Sequence, residues 1–284
     1  MKVLKLKSRG VLVLKLQNNL VKLGYALTPD GVFGQQTENA LRQFQRDNGL
    51  MADGIAGPVT LGIIEEVLQR KEFLGIDVSY YNQTINWNKI KASRYAFAIA
   101  KASEGQNYKD PLFGTNYSEM VRLDIMRSAY HFYRFFTDPI AQADNFLSCG
   151  FDFSQKNTLP PVIDIEWQDN NGSTNQTIIN NRVTYIKNIR KWLEKVEAAT
   201  GRVPMIYTQK SFWDGIVGAP SEFDRYPLWV VDYSRNAVPA MPSGWPNWVM
   251  WQFSSTGAVD GITGMVDLNR FKGTQQALRK LANF

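Results

Sequence analysis

Short apolar, β-branched runs alternate with helical segments over residues 74–199, and this alternation constrains the fold more than any other feature of the chain. Runs of this length bounded by Gly, Pro and Ser are typical of buried strands, and parallel strands need helical crossovers between them. The sequence predicts a longest helix over 176–199, with apolar residues at helical spacing. Eight strands are predicted, at 75–79, 95–102, 128–132, 161–166, 204–207, 227–233, 248–253 and 265–268.

The last three predicted strands are joined by connectors rich in Gly, Pro and Ser that are too short and broken for helices. Two architectures fit this pattern: a parallel barrel that loses its helices near the end, or an open doubly wound sheet. No glycine-rich phosphate loop follows the first strand, which weighs against a nucleotide-binding sheet.

A pseudo-repeat marks a separate N-terminal region. The segment Asp30-Gly31-Val32-Phe33-Gly34-Gln35-Gln36-Thr37 matches Asp53-Gly54-Ile55-Ala56-Gly57-Pro58-Val59-Thr60. Asp-Gly sets a tight turn, and Thr37 and Thr60 are expected to cap the helices that follow. With the apolar helical spacing around these turns, residues 1–70 are predicted to form a small three-helix domain, and residues 74–284 the larger one.

Two carboxylates, Asp164 and Glu166, stand two residues apart in a run that reads as a buried strand. Side chains at i and i+2 of a strand share a face, and neighbouring like charges in a buried place raise each other's pKa. A glycosidase uses such a pair as proton donor and charge stabiliser. The alternative is a pair of carboxylates satisfied by Arg or Lys at a strand end.

Other acids fall at the same ends of the predicted strands, where barrel enzymes gather their reactive groups. These acids are Asp77, Glu104, Asp232 and Asp267. Aromatic residues sit at matching ends and are candidates to stack on a sugar: Tyr80, Tyr133, Tyr207, Trp229 and Trp251.

Composition excludes several function classes. One Cys and one His nearly exclude a zinc site built on these residues and leave His131 as the sole candidate base for Ser-His-Asp chemistry. Neither a metal nor a cofactor is required by anything in the sequence. No run approaches the ~20 apolar residues of a membrane span. The net charge of +6 equals the charge of residues 1–29. Such a stretch suits a polyanion or an anionic surface, such as a cell wall or outer leaflet, and an ordinary solvated basic face is the alternative; no recognised nucleic-acid-binding motif accompanies it.

The two Asp-Gly-x-x-Gly-x-x-Thr turns, with Phe44-Gln45 and Gly49-Leu50 between them, resemble the peptidoglycan-binding module of cell-wall hydrolases over about residues 8–68. The resemblance implies that bacterial peptidoglycan is the partner of this domain.

Residues 74–272 resemble the lysozymes of glycoside hydrolase family 25. The resemblance rests, in chain order, on Gly75-Ile76-Asp77-Val78-Ser79, Ala100-Lys101-Ala102-Ser103-Glu104-Gly105, Tyr130-His131-Phe132, Asp164-Ile165-Glu166, Leu228-Trp229-Val230-Val231-Asp232-Tyr233, Trp251-Gln252-Phe253 and Val266-Asp267-Leu268-Asn269. It implies an α/β fold, an irregular TIM-like (β/α)5(β)3 barrel. It also implies hydrolysis of the β-1,4 bond from N-acetylmuramic acid to N-acetylglucosamine.

The same resemblance implies residue roles. Glu166 is the expected general acid/base, Asp164 orients and stabilises a developing cation or oxazolinium, and Asp77 and Asp267 complete the acidic floor. A carboxylate nucleophile and attack by the substrate's own N-acetyl oxygen both remain open, and the Asp-x-Glu spacing favours the second. The expected substrate-binding residues are Tyr80, Glu104, Tyr133, Tyr207, Trp229, Asp232 and Trp251.

Module order and the absence of a recognisable signal peptide resemble a bacteriophage endolysin, monomeric, held in the host cytoplasm until lysis. A secreted bacterial autolysin of the same activity is the alternative. A wall amidase or peptidase and a non-catalytic wall-binding protein are two further readings. The single His and single Cys argue against the first, and the intact acidic set argues against the second.

Overall fold

A computed structural model describes residues 3–23, 25–69, 72–168, 172–234 and 236–283. The chain divides into two compact units. The first comprises Met1–Glu72 and Gly273–Lys280, and the second comprises Phe73–Lys272 and Leu281–Phe284. Segment Gly273–Lys280, which the sequence assigns to the larger domain, therefore packs within the smaller unit.

The first unit contains the three expected helices: α1 (Val11–Lys22), α2 (Gln35–Asp47) and α3 (Pro58–Gln69). Its core is formed by apolar side chains spaced along these helices and the turns between them, including Leu16, Leu20, Phe33, Phe44 and Ile64.

A buried glutamine organises each Asp-Gly turn of this unit. The Gln17 side chain donates to Asp30 Oδ1 at 2.9 Å and to Thr37 Oγ1 at 2.9 Å, and accepts from the Gly31 N–H at 2.8 Å. Gln45 repeats the pattern in the second turn, donating to the Asp53 carboxylate and accepting from the Gly54 N–H.

The expected helix caps at Thr37 and Thr60 are wrong. Helix α2 begins at Gln35 and helix α3 at Pro58, so each Thr lies inside the first turn and is buried. Each hydroxyl instead accepts a hydrogen bond from the buried glutamine of its own turn, at 2.9 Å from Gln17 and 3.4 Å from Gln45.

The second unit is a closed barrel, which excludes the open doubly wound sheet. Its eight strands are β1 (Glu72–Val78), β2 (Phe97–Glu104), β4 (Met126–Phe132), β5 (Val162–Asp164), β6 (Met205–Gln209), β7 (Leu228–Val231), β8 (Met250–Gly257) and β9 (Val266–Lys272). They pair in the order β1-β9-β8-β7-β6-β5-β4-β2, and β1 pairs with β2 to close the barrel. The first seven of these strands are parallel, and β9 runs antiparallel to β8.

A ninth strand, β3 (Tyr108–Lys109), pairs antiparallel with the end of β2 outside the barrel. Its two residues carry no periodic signal that a sequence could reveal. It folds the turn that follows Glu104 back along β2.

The helices follow the predicted (β/α)5(β)3 order. They are α4 (Trp87–Lys91), α5 (Phe113–Arg122), α6 (Pro139–Leu147), α7 (Gly172–Asn180), α8 (Arg182–Thr200) and α9 (Lys210–Phe212). The last helix, α10 (Gln275–Leu281), follows the barrel strands and belongs mainly to the first unit. The single helix predicted over 176–199 is wrong, because the chain breaks at Asn181 and restarts as α8. Because α8 starts anew, Val183 no longer lies on the apolar face predicted for a single helix, and its side chain is 68% exposed.

Alternate residues of each strand point into the barrel, where large side chains fill the interior. Gly75 makes room for one of them, since a Cβ there would lie 2.2 Å from the ring of Phe97, its partner on β2. Because neighbours in register share a face, Phe132, Asp164, Tyr207 and Trp229 form one inward-facing layer across four strands.

Candidate active site

Four acids meet at the carboxyl end of the barrel. Asp77 lies near the end of β1, Asp164 ends β5, and Glu166 follows two residues later. Asp267 lies at the start of β9, which reaches the same end because this strand runs antiparallel. The four acids act on one another electrostatically, and the structure thus brings together all four residues predicted to be catalytic.

Asp77 is buried among neutral amides. Its Oδ2 accepts from Gln252 Nε2 at 2.9 Å and from Asn269 Nδ2 at 2.7 Å. Burial, with the nearby charge of Asp267, raises the pKa of Asp77 well above its ordinary value. Burial raises the pKa of Asp267 to about 6, and a hydrogen bond joins the two carboxyl groups. Both pKa values are raised, so the pair gives up its protons at a higher pH than two isolated aspartates would.

Aromatic side chains hold the amides that bind Asp77. The hydroxyls of Tyr207 and Tyr233 both donate to Gln252 Oε1, at 2.9 and 2.5 Å. The indole of Trp229 donates to Asn269 Oδ1 at 2.9 Å. Each amide is thereby turned so that its NH2 group faces Asp77. The aromatic donors thus fix the amides that hold the Asp77 carboxyl group.

Asp164 and Glu166 form the second pair of the site. Asp164 is buried and its Oδ1 has no hydrogen-bond partner. Burial and the neighbouring Glu166 raise the pKa of Asp164 well above its ordinary value. Burial, with the charge of Asp267, raises the pKa of Glu166 to about 7. A carboxyl group that stays protonated near neutral pH can serve as a general acid.

Two cations flank these acids and are tied together by Glu104. Lys101 Nζ lies 2.6 Å from Glu104 Oε2, and Arg134 donates to Oε1 at 2.9 and 2.5 Å. Both cations also lie over the Phe132 ring, with Lys101 Nζ 5.0 Å and the Arg134 guanidinium carbon 4.6 Å from its centroid. Burial opposes ionisation of Glu104, but hydrogen bonds from the two cations lower its pKa.

The segment after Glu166 is fixed by Gln168. The Gln168 side chain donates to the carbonyls of Tyr133 at 3.1 Å and of Glu166 at 2.9 Å. Arg134 in turn donates to the Gln168 carbonyl at 2.8 Å. These bonds tie the backbone of Glu166 to the loop after β4.

Among the expected substrate-binding residues, Tyr207 and Trp229 face the acids, and their rings meet edge-on with centroids 4.8 Å apart. Tyr80 lies just beyond the end of β1, where its ring packs on Tyr81. Asp232 accepts hydrogen bonds from the backbone of Ser234 and Ala240 and so holds its own loop. Glu104 is engaged by its two cations.

The structure does not bring Tyr133 and Trp251 to the acids. Both are buried in the apolar layer outside the barrel, where Tyr133 packs on Phe135. Strand alternation explains the position of Trp251, which pairs with the outward-facing Val230, whereas its neighbour Gln252 points inward.

Several site residues were missed. Tyr130 lies within the electrostatic reach of all four acids, and burial among them raises its pKa well above its ordinary value. Alternate residues of β4 point into the barrel, and this set includes Tyr130 and Phe132 but not Tyr133. The same alternation places three more side chains inside the barrel: Lys101, Asn269 and Gln252. A neutral amide in a strand, however, gives little indication of function in a sequence.

Exposed aromatic side chains lie in the segments that follow the barrel strands. Five aromatic residues are exposed within the described part of the second unit, and each follows the carboxyl end of a strand. They are Tyr81, Tyr108, Phe136, Trp167 and Tyr233. Aromatic faces exposed at the barrel end that carries the acids suit the binding of a sugar chain.

His131 is not a catalytic base. Its ring is fully buried, with Nδ1 2.8 Å from Ser103 Oγ and Nε2 3.2 Å from Gln142 Oε1. Burial lowers the pKa of His131 to about 4. The Ser–His pair therefore has an amide where a triad has a carboxylate, and it lies out of reach of any substrate.

Comparison with known protein families agrees with this geometry. The profile of glycosyl hydrolases family 25 matches residues 76–262, about two thirds of the chain. The chain belongs to glycosyl hydrolases family 25. It is therefore an enzyme, a lysozyme-type glycosyl hydrolase, and the predicted barrel is confirmed as the fold of this family. The profile of a putative peptidoglycan binding domain matches residues 9–64, which confirms the resemblance of the N-terminal region to a peptidoglycan-binding module.

Relatives of this family-25 chain are known in bacteria and fungi. It is 39% identical over 212 residues to lysozyme M1 of Streptomyces globisporus, covering 74% of this chain and 71% of that protein. It is 30% identical over 214 residues to an N,O-diacetylmuramidase of a Chalaropsis species, covering 73% and 98%. The crystal structure of the bacterial lysozyme from Streptomyces coelicolor superposes with a TM-score of 0.69 at 37% identity, covering 74% and 97%.

Membrane-spanning helices and metal-binding clusters are both absent from the described residues of this family-25 chain. No helix among them is both long and apolar enough to cross a bilayer. Nor do they contain a group of three or more His, Cys, Asp and Glu side chains arranged to hold a metal ion.

Proposed function

We propose that this enzyme cleaves the β-1,4 bond between N-acetylmuramic acid and N-acetylglucosamine in peptidoglycan, with retention, by substrate-assisted catalysis. The observation that carries the proposal is the buried, unpartnered Oδ1 of Asp164 beside the raised pKa of Glu166. A buried acceptor without a donor is costly, and the N–H of a substrate acetamido group would satisfy it. The names of the two relatives, a lysozyme and an N,O-diacetylmuramidase, support the choice of substrate.

In the first step, the acetamido carbonyl oxygen attacks the anomeric carbon while the bond to the leaving oxygen breaks. Glu166 gives its proton to that leaving oxygen. A hydrogen bond from the acetamido N–H favours the ionised form of Asp164, and this carboxylate stabilises the oxazolinium that forms. In the second step, the water oxygen attacks the same carbon and the bond from that carbon to the acetamido oxygen breaks, while Glu166 takes a proton from the water. Two inversions leave the anomeric configuration unchanged.

Asp77 and Asp267 serve the site as a pair that shares a proton. One negative charge in place of two limits repulsion of the ionised Asp164. The remaining negative charge of the pair still supplies negative potential beneath the positive sugar ring. The amides of Gln252 and Asn269 hold the pair in place, and their aromatic donors keep them rigid.

The test is a digest of purified peptidoglycan by the wild type and by Glu166→Gln, followed by borohydride reduction and mass analysis. We expect reduced muramic acid ends from the wild type only, with loss of at least 100-fold in rate for the variant. Glu194→Gln, on the exposed face of α8, is the matched control. Reduced glucosamine ends would move the cleaved bond, and free amines would point to an amidase instead. Initial release of the opposite anomer in proton NMR would exclude retention.

We further propose the biological role of an endolysin, held in the host cytoplasm until lysis, with a secreted autolysin as the alternative. The order of the two domains motivates this proposal. Cells that express the protein should lyse only when the inner membrane is permeabilised. Lysis of neighbouring cells by the untreated culture fluid would favour the autolysin.

A further inference from the structure

Lys101 is the one buried lysine among the described residues, and it faces the catalytic acids from β2. It pairs in register with Tyr130 on β4, so its side chain points into the barrel. The ammonium lies over Phe132, whose register partner on β5 is Asp164. A cation therefore stands one strand away from the Asp164–Glu166 pair, in a place with little water to screen it.

Other charged or titratable groups face this pair from the surrounding elements. They are Asp77 on β1, Glu104 on β2, Tyr130 and Arg134 on and after β4, Tyr207 on β6, Tyr233 after β7 and Asp267 on β9. The residue from β8, Gln252, is neutral. The acids thus outnumber the two cations, Lys101 and Arg134, and Lys101 is the cation that acts on both Asp164 and Glu166.

We propose that Lys101 is an electrostatic positioning residue, whose ammonium, held by Glu104 against Phe132, sets how the Asp164–Glu166 pair shares its protons. This inference rests on the proposed roles of these two acids. The competing interpretation is purely structural: the Lys101–Glu104 ion pair would only hold the turn into β3.

The two interpretations differ in their effect on pH dependence. The Lys101 charge favours the ionised forms of both acids, so its removal raises both pKa values. Activity needs Asp164 ionised on the acidic side and Glu166 protonated on the alkaline side. Both limbs of the pH profile should then move to higher pH, whereas a purely structural loss lowers activity without moving either limb.

The experiment is the pH dependence of kcat/KM for release of reducing ends from soluble peptidoglycan glycan strands. Lys101→Met should move both limbs up by about one pH unit, and Lys101→Arg should restore the wild-type profile. Glu104→Gln removes a negative charge that raises the pKa of Asp164, and should move the acidic limb down. The double variant, Lys101→Met with Glu104→Gln, keeps the net charge and should lie between the two single variants.

Lys195→Met is the matched control, because it removes the same charge from an ion pair with Asp144 on the outer helices. It should leave the profile in place. A uniform loss of activity in Lys101→Met without displacement of either limb would overturn the inference, as would equal shifts for Lys101→Met and Lys195→Met. If Lys101→Met does not fold, Glu104→Gln decides, and an unmoved acidic limb there would refute the proposal. The Glu166→Gln digest tests the proposed function independently.

Discussion

The four acids of the site lower the stability of the folded enzyme when they ionise, because burial raises the pKa of every one of them. For Glu166 the folded value is about 7 against an ordinary value of 4.5. A carboxyl group whose pKa rises on folding contributes stability below its unfolded pKa, and this contribution is lost as the pH rises through the folded pKa. For Glu166 the loss falls between about pH 4.5 and 7 and approaches about 3 kcal/mol.

Glu166→Gln is therefore expected to be more stable than the wild type at pH 8, by as much as ~3 kcal/mol, and to lose most of this advantage at pH 4.5. Urea unfolding at both pH values measures it. Glu194→Gln, which lies exposed on α8, should show no such growth with pH. A constant difference between Glu166→Gln and the wild type would mean that Glu166 carries no raised pKa in the folded enzyme.

The acids could be predicted from the sequence, whereas the residues that hold them could not. A charged residue in an apolar strand stands out, as Asp77 and Asp164 do. Gln252 and Asn269 do not stand out, because an amide shows its role only when strand parity and register place it beside a carboxyl group. Strand alternation likewise separates the inward-facing Tyr130 from the outward-facing Tyr133, and this difference becomes visible once the strands are aligned.

Strand β1 depends on a missing side chain. A Cβ on Gly75 would meet the Phe97 ring inside the barrel at 2.2 Å, two residues before Asp77. Gly75→Ala is expected to cost about 3 kcal/mol through overpacking and to lower activity by displacing Asp77. Gly62→Ala, on the exposed side of α3 with open space around it, should instead stabilise its helix by about 0.5–1 kcal/mol.

Tryptophan fluorescence separates the two effects. All eight Trp residues lie between residues 73 and 272, so fluorescence reports the barrel, while far-UV circular dichroism reports both units. An unchanged fluorescence transition in Gly75→Ala would show that β1 yields to the extra methyl group without cost.

The buried glutamines make the two turns of the helical unit equivalent. Gln45→Ala would leave the Asp53 carboxylate and the Gly54 N–H without a buried partner. We expect a loss of about 3 kcal/mol in the helical unit, seen by circular dichroism, with the fluorescence transition unchanged. Gln35→Ala, at an exposed position in the first turn of α2, is the control and should cost less than about 0.5 kcal/mol. Equal losses in both variants would deny Gln45 its organising role.

Elements with strong periodicity were predictable and breaks in periodicity were not. The eight barrel strands carry apolar runs bounded by turn residues, so the sequence locates each of them. The break at Asn181 depends on one residue that an α-helix tolerates, and only the packing of α7 and α8 decides that two helices form. Strand β3 exists because β2 offers it an edge.

Charge is distributed unevenly between the two units. Residues 1–29 carry six basic and no acidic residues, which equals the net charge of the whole chain. Among them Lys5, Lys7 and Lys22 are exposed. Exposed cations attract anionic polymers over about one Debye length, ~10 Å at 0.1 M salt. If the helical unit holds the enzyme on the wall, these lysines act on wall-bound substrate and leave the chemistry of the barrel untouched.

Replacing Lys5, Lys7 and Lys22 by Gln is expected to lower activity on intact walls about tenfold at low salt, because linked binding multiplies the local substrate concentration. Activity on short soluble glycan strands should not change, and added salt should lower wild-type wall activity toward that of the variant. The control replaces Lys156, Lys187 and Lys191, three exposed lysines of the barrel unit, and removes the same charge from the other unit. An equal drop in both triple variants would mean that overall charge attracts the wall. An equal drop on walls and soluble strands would mean that the N-terminal lysines act on the barrel instead of on the wall.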